Sequence, residues 1–216
     1  MNSEAVSSAE LPLRGPNDMD LWQIENSLYN GGEKMICGVD EAGRGPLAGP
    51  VYAAAVILPR GLEIDGLDDS KKLTQKKREK LYEIITEKAI AYGVASASVL
   101  EIDELNILNA TYTAMNRAIS AMNEDIFLAL IDGNRCSGIK YRNKCVIGGD
   151  GKSASIAAAS IIAKVTRDCY MKELAIEYPE YGFERHMGYG TAAHYAALRL
   201  YGPSPVHRRT FLRKMH

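Results

Sequence analysis

Residues 126–131 (IFLALI) are apolar without a break and stop abruptly at Asp132-Gly133-Asn134. A strand that apolar is buried on both faces, as in a sheet covered by helices, and it delivers a carboxylate at its C-terminal end. Other runs repeat the theme. Residues 35–40 read as a short buried strand ending in Asp40-Glu41, and a short strand around Val146-Ile147 leads into Gly148-Gly149-Asp150. Residues 51–58, closed by Pro59, read as another strand. Only the glycine-rich loop AGRGPLAGP separates residues 35–40 from residues 51–58. A link of roughly ten residues favours an antiparallel pair over a parallel crossover.

Helical spacing fills most of the rest. Leu21, Ile24 and Leu28 mark a short helix stopped by Gly31-Gly32, after a lead-in rich in Ser, Glu, Pro and Asn. Residues 74–90 form a charged amphipathic helix with Leu81, Ile84 and Ile85 inward. A third strand spans residues 92–99, and residues 102–123 are one or two helices. Residues 155–174 are a long helix, apolar at first and polar later, ended by Pro179. GFERHMGYG is loop-like, residues 191–201 are a last helix, and GPSPVHRRTFLRK is a basic tail. The expected architecture is a mixed-sheet α/β domain over residues 35–216, with helices gathered towards its end. Residues 1–34 are expected to be a lead-in with one short helix.

Composition excludes some classes. Hydrophobic residues make up 46% and charged residues 25% of the 216, a globular balance rather than a disordered one. No stretch nears the ~20 apolar residues of a membrane span. The first residues lack a basic start and apolar run, so no signal peptide is expected. The four cysteines, Cys37, Cys136, Cys145 and Cys169, contain no C-x-x-C pair, and a reduced, cytoplasmic protein is expected. The net charge of −1 announces no nucleic-acid partner. Two local clusters say more: Lys71, Lys72, Lys76, Lys77, Arg78 and Lys80, and His207, Arg208, Arg209, Arg213 and Lys214. Such runs are usually solvated faces, unless they flank a site where phosphate sits.

The chemistry lies in the acids that end strands. Asp40, Glu41, Asp132 and Asp150 are expected around one crevice at the sheet's end. Carboxylates crowded together repel, and a divalent cation relieves that. Oxygen ligands without His or Cys suit Mg²⁺ or Mn²⁺, whereas zinc wants His or Cys at set spacing. Strand alternation sends Asp40 and Glu41 to opposite faces unless the pleat breaks, and Gly43 and Gly45 make a break plausible. Two nucleotide motifs fail. GGDGKS lacks the P-loop's first glycine, Val146 standing there, and Gly43, Gly45 and Gly49 miss the G-x-G-x-x-G spacing.

GVDEAGRGPLAGPVYAAAVILP (Gly38 to Pro59) closely resembles the opening motif of the bacterial ribonuclease HII family. DSKKL (Asp69 to Leu73), IDGN (Ile131 to Asn134), GDGKSASIAAASIIAKVTRD (Gly149 to Asp168), GYGT (Gly188 to Thr191) and HRRTF (His207 to Phe211) follow in family order. The sister ribonuclease HIII family departs from GRG and carries an added N-terminal domain, for which the lead-in here is short. The resemblance implies an RNase H-like mixed sheet flanked by helices, with a C-terminal helical portion. It implies an endonuclease that cuts the RNA strand of RNA–DNA hybrids and 5′ to ribonucleotides embedded in DNA, leaving 5′-phosphate and 3′-hydroxyl ends. Asp40, Glu41, Asp132 and Asp150 map to the four catalytic carboxylates, which hold two divalent ions, Mn²⁺ or Mg²⁺.

By the same resemblance, Gly43, Arg44 and Gly45 read the 2′-hydroxyl that separates RNA from DNA, largely through backbone groups. Tyr189 stacks by the junction with the following deoxynucleotide. Lys71, Lys72, Lys152 and Arg208 are expected phosphate contacts, and Asp168 has a structural or supporting role. Gly149 stands where a lysine is frequent. The expected partner is nucleic acid, with no membrane, and the expected state is a monomer. Two other classes stay open on the residues alone: a junction resolvase of the same fold, indifferent to the 2′-hydroxyl, and a non-catalytic nucleic-acid-binding module.

Overall fold

The computed structural model describes residues 20–32 and 34–213; the lead-in before residue 20 and Lys214 lie outside the described residues. The apolar runs become β1 (Ile36–Ala42), β2 (Val51–Ile57), β3 (Ala91–Ala97), β4 (Leu128–Asp132) and β5 (Asn143–Val146), in one sheet of order β3-β2-β1-β4-β5. The pair β1/β2 is antiparallel, as the loop length predicts, and so is β2/β3, while β1, β4 and β5 run parallel. The sheet is therefore mixed.

The link from β4 to β5 departs from the usual helical crossover. Residues 133–142 make it without a helix, and Ile139 anchors them in the core. This loop returns Cys136 to β5, where it forms a disulfide with Cys145, the Cα atoms 5.9 Å apart. The pairing corrects the expectation of four reduced thiols, because strand register rather than sequence spacing brings the two together. Cys37 and Cys169 are free.

Helices cover both faces. Ala110, Ala114, Met115, Ala118 and Ile119 of α4 (Ile107–Ala121) pack on one face against Val39, Ala53 and Ile131. Residues 102–123 resolve into α3 (Val99–Leu105) and α4 because Asn106 turns the chain at φ 68° and caps α4, its side chain accepting from the N–H groups of Leu108 and Asn109. The other face takes α5 (Ala154–Glu177) and α2 (Gln75–Lys88), through Ala158, Ile161, Ile162, Leu81 and Ile85. Thr74 caps α2, accepting from Lys77 N–H.

Gly38 sets how closely α5 approaches. A Cβ there would lie 2.1 Å from the carbonyl carbon of Ser155, so the first turn of α5 rests directly on β1. The helix α1 (Gln23–Asn30) steadies that turn. Its buried Glu25 accepts from Ser153 Oγ at 2.6 Å, Ser155 Oγ at 2.7 Å and Ser155 N–H at 3.1 Å.

Two C-terminal expectations need correction. The stretch read as a loop contains the short helix α6 (Phe183–His186) before α7 (Ala192–Tyr201). The basic tail is not simply a solvated run: it carries α8 (Arg209–Leu212), and His207 and Arg208 are buried. An apolar cluster of Leu47, Met171, Leu174, Tyr181, Phe183 and Leu198 fastens this part to the loop after β1.

Candidate active site

Register alone brings the first acids together. Val39 of β1 pairs with Ile131 of the parallel β4, so Asp40 and Asp132 come next, side by side at the carboxyl ends of both strands. Asp132 pairs in turn with Val146 of β5, after which a 3-10 turn over Gly149–Gly151 brings Asp150 back. Oxygens of Asp40, Asp132 and Asp150 lie within 4.8 Å of one another.

Glu41 is placed differently. The register Asp40↔Ala54 and Glu41↔Ala53 runs unbroken, so the pleat holds through both acids, and the chain leaves the strand only beyond Ala42, at Gly43 with φ 95°. Asp40 lies on the α5 side, and Glu41 lines the α4 side of a cleft with Thr111, Tyr112 and Asp132. Its carboxylate accepts from Arg44 Nη1 at 3.2 Å.

The electrostatics show what such a cluster costs. Asp40 is only 4% exposed, and burial, then the charges of Glu41 and Asp132, push its pKa well above the usual carboxylate range. Burial raises Glu41 too, against the pull of Arg44. Asp132 is raised by burial and by Asp150, although Gly149 N–H donates to it at 2.7 Å. Lys71 Nζ reaches Asp150 at 3.2 Å and offsets part of the excess charge. Buried, hard, anionic oxygens without His or Cys fit a divalent cation of the Mg²⁺ or Mn²⁺ type.

A cleft of about 210 Å³ opens beside these acids, lined by Gly43, Arg44, Gly45, Lys71, Lys164 and Tyr189 among others. Two larger hollows of about 400 Å³ lie by Trp22 and by Tyr29, but no three acids converge in either among the described residues. Convergent chemistry, not volume, marks the site.

Each remaining residue has a definite place. Arg44 and Gly45 are exposed at the cleft. Tyr189, 46% exposed, lies over Gly45, its Cε1 3.5 Å from where a Cβ would stand. Lys72 pairs with Asp68 at 2.9 Å, and Lys152 Nζ donates to the Ile147 carbonyl at 2.7 Å. Asp168 accepts from Lys164 at 2.7 Å and so holds a cation at the cleft. At Gly149 a Cβ would come 2.5 Å from Ile156 Cδ1, so a larger residue needs that side chain to turn.

Arg208 corrects an expectation. It is fully buried and donates to the carbonyls of Gly43, Arg44 and Gly49, so it cannot contact phosphate. The basic run hid it, because its partners lie 159–165 residues away.

Sequence reasoning also gave no buried role to Arg167, to His194 or to His207, which it placed only in the basic run; all three are buried. Arg167 donates to the Ala48, Pro50 and Met187 carbonyls. The histidines form a directed chain, with roles assigned from the network. His194 Nδ1–H donates to the Tyr189 carbonyl at 2.9 Å, so its Nε2 accepts from His207 Nε2–H at 3.0 Å. His207 Nδ1 then accepts from Ser204 N–H and Oγ–H. Burial, then His194, push His207 down to about 4, which keeps the chain neutral. The period-2 and period-3.6 patterns carry no signal for such contacts.

A mixed sheet presenting convergent acids at the ends of parallel strands, with helices on both faces, defines the RNase H-like class. Solved ribonuclease H2 from Pyrococcus horikoshii has this fold: TM-score 0.67 and 29% identity, covering 81% of this chain and 92% of that one. The family model for ribonuclease HII matches residues 37–215, and the chain belongs to the ribonuclease HII family. It is 60% identical over 177 residues to ribonuclease HII of Dechloromonas aromatica, covering 82% of this chain and 90% of the relative. With ribonuclease HII of Caldicellulosiruptor bescii the identity is 50% over 203 residues, covering 94% and 98%. The chain is therefore a type 2 ribonuclease H, a divalent-metal-dependent hydrolase acting on the RNA of RNA–DNA hybrids.

Proposed function

We propose that this enzyme also cuts duplex DNA 5′ to a single embedded ribonucleotide, leaving 5′-phosphate and 3′-hydroxyl ends. The observation that carries this is the joining of three convergent carboxylates to an exposed Arg44-Gly45 turn under Tyr189. Asp40, Glu41, Asp132 and Asp150 would hold two divalent ions, Mn²⁺ or Mg²⁺. Bound there, the ions supply an activated water and neutralise charge on the leaving oxygen.

The chain's own groups do the rest. Gly43, Arg44 and Gly45 present backbone to the 2′-hydroxyl, which alone marks a ribonucleotide in DNA. Tyr189 stacks on the following deoxyribose and holds the junction in register. Lys71 and Lys152 face phosphate, and Lys71, within 3.2 Å of Asp150, offsets part of the acids' charge.

Mapping the cut in an end-labelled duplex with one ribonucleotide tests this reading. A cut on its 3′ side, or no cut, contradicts it. Tyr189→Ala should lower kcat/KM on that duplex about tenfold, on the scale of roughly 1–3 kcal/mol per stacked base, and should affect a long RNA–DNA hybrid less. Equal losses on both would remove Tyr189 from junction reading.

A further inference from the structure

Two buried arginines under the turn direct their hydrogen bonds to main-chain carbonyls, although Asp168 and Asp103 are near enough to act on Arg167 and Arg208 through their charge. Arg208 Nε donates to Gly49 O at 2.9 Å, Nη1 to Arg44 O at 2.9 Å and Nη2 to Gly43 O at 2.6 Å. Arg167 Nε donates to Pro50 O at 3.2 Å, Nη1 to Met187 O at 3.1 Å and Nη2 to Ala48 O at 3.2 Å. Among the described residues neither guanidinium forms an ion pair. Burying such groups against main-chain carbonyls alone is costly, and a hydrophobic contact would secure a loop at less expense. The geometry of the turn supplies a reason for them.

No described peptide bond is cis. In a trans peptide the C=O and the following N–H point opposite ways. Arg208 draws the carbonyls of Gly43 and Arg44 inward, so the N–H groups of Arg44 and Gly45 turn outward to the cleft. Neither N–H has a protein acceptor among the described residues. Gly43 permits the turn with φ 95°, and a Cβ there would meet Arg167 Nε at 1.9 Å, so the Arg167 side chain fills the space that a glycine leaves.

We infer that Arg208 and Arg167 are positioning residues that hold the Arg44 and Gly45 N–H groups outward as a paired donor for a ribose oxygen. Two adjacent amide donors make a small concavity suited to an oxygen carrying negative charge or lone pairs. The inference rests on the reading that this turn recognises the 2′-hydroxyl. Arginine is suited to the task because its planar fork holds three carbonyls in one geometry, which a lysine ammonium cannot do.

The test compares affinities of wild type and Arg208→Lys for a duplex with one ribonucleotide and for its all-DNA counterpart, with chelator present, alongside the Mn²⁺-induced rise in Tm. Wild type is expected to favour the ribonucleotide duplex. Arg208→Lys should lower that preference about tenfold, the scale of one or two lost hydrogen bonds, and keep the Mn²⁺ shift because the carboxylates are untouched. Equal weakening on both duplexes makes Arg208 merely structural and overturns the inference. A wild type without preference overturns the 2′-hydroxyl reading itself, and the inference with it. Amide NMR of wild type covers a variant that fails to fold. The Arg44 and Gly45 N–H signals should exchange freely with solvent in the free protein and shift with the ribonucleotide duplex only. Protected amides, or the same shift with all-DNA, contradict it.

Discussion

Asp40→Asn is expected to abolish cleavage while leaving the chelated protein at least as stable as wild type. Asparagine keeps the shape and removes one charge from a cluster whose oxygens lie within 4.8 Å of one another. Losing a cation ligand should cost about 4 kcal/mol of transition-state stabilisation, roughly a thousandfold in rate. The stability argument runs the other way. An acid whose native pKa is raised binds more protons folded than unfolded, so its contribution falls as pH rises above the unfolded value of about 3.9. Asp40 and Asp132 are both raised. The chelated wild type should therefore lose Tm as pH rises above that unfolded value, and Asp40→Asn should lose less. Mn²⁺ should restore stability in wild type, by about 2.7 kcal/mol at a hundredfold excess over Kd, and much less in the variant. Melting curves across pH, with Mn²⁺ and with chelator, decide it. Clear destabilisation of chelated Asp40→Asn would make this carboxylate a structural group.

Gly38→Ala should be the most damaging conservative change to the fold. The added Cβ meets backbone, at 2.1 Å from Ser155 C and 2.2 Å from Ile156 N, so no side chain can turn aside. Overpacking costs typically about 1–3 kcal/mol and more where backbone must move. At about 3 kcal/mol, a domain of this size should lose roughly 6–12 °C of Tm. Activity should fall as well, because Asp40 lies two residues beyond Gly38 and the start of α5 follows Asp150 closely. A variant melting within a degree of wild type would show that α5 is seated less tightly on β1 than the structure has it.

What could be read in advance follows from range. The apolar runs ending in Asp40 and Asp132, the antiparallel β1/β2 pair and the stripe of α2 are local patterns, and burial gives each one outcome. The convergence of Asp40 with Asp132 needed only a parallel register between two such runs. Arg208 was misread because a charge in a basic run belongs in water unless a distant partner claims it, and here that partner is the main chain of the turn after β1. The Cys136–Cys145 bond escaped for a similar reason, since it depends on how residues 133–142 fold back. The pleat through Asp40 and Glu41 could be framed as a question but not answered, because glycine allows a break without requiring one.

The most direct measurement is the cleavage rate on a DNA duplex carrying one ribonucleotide, as a function of added Mn²⁺ or Mg²⁺, beside an all-DNA duplex of the same sequence. Cleavage that rises with the cation, vanishes with chelator and spares the all-DNA duplex is the predicted result. Cleavage that persists in chelator, or cuts both duplexes equally, would contradict a carboxylate-held metal site that reads the 2′-hydroxyl.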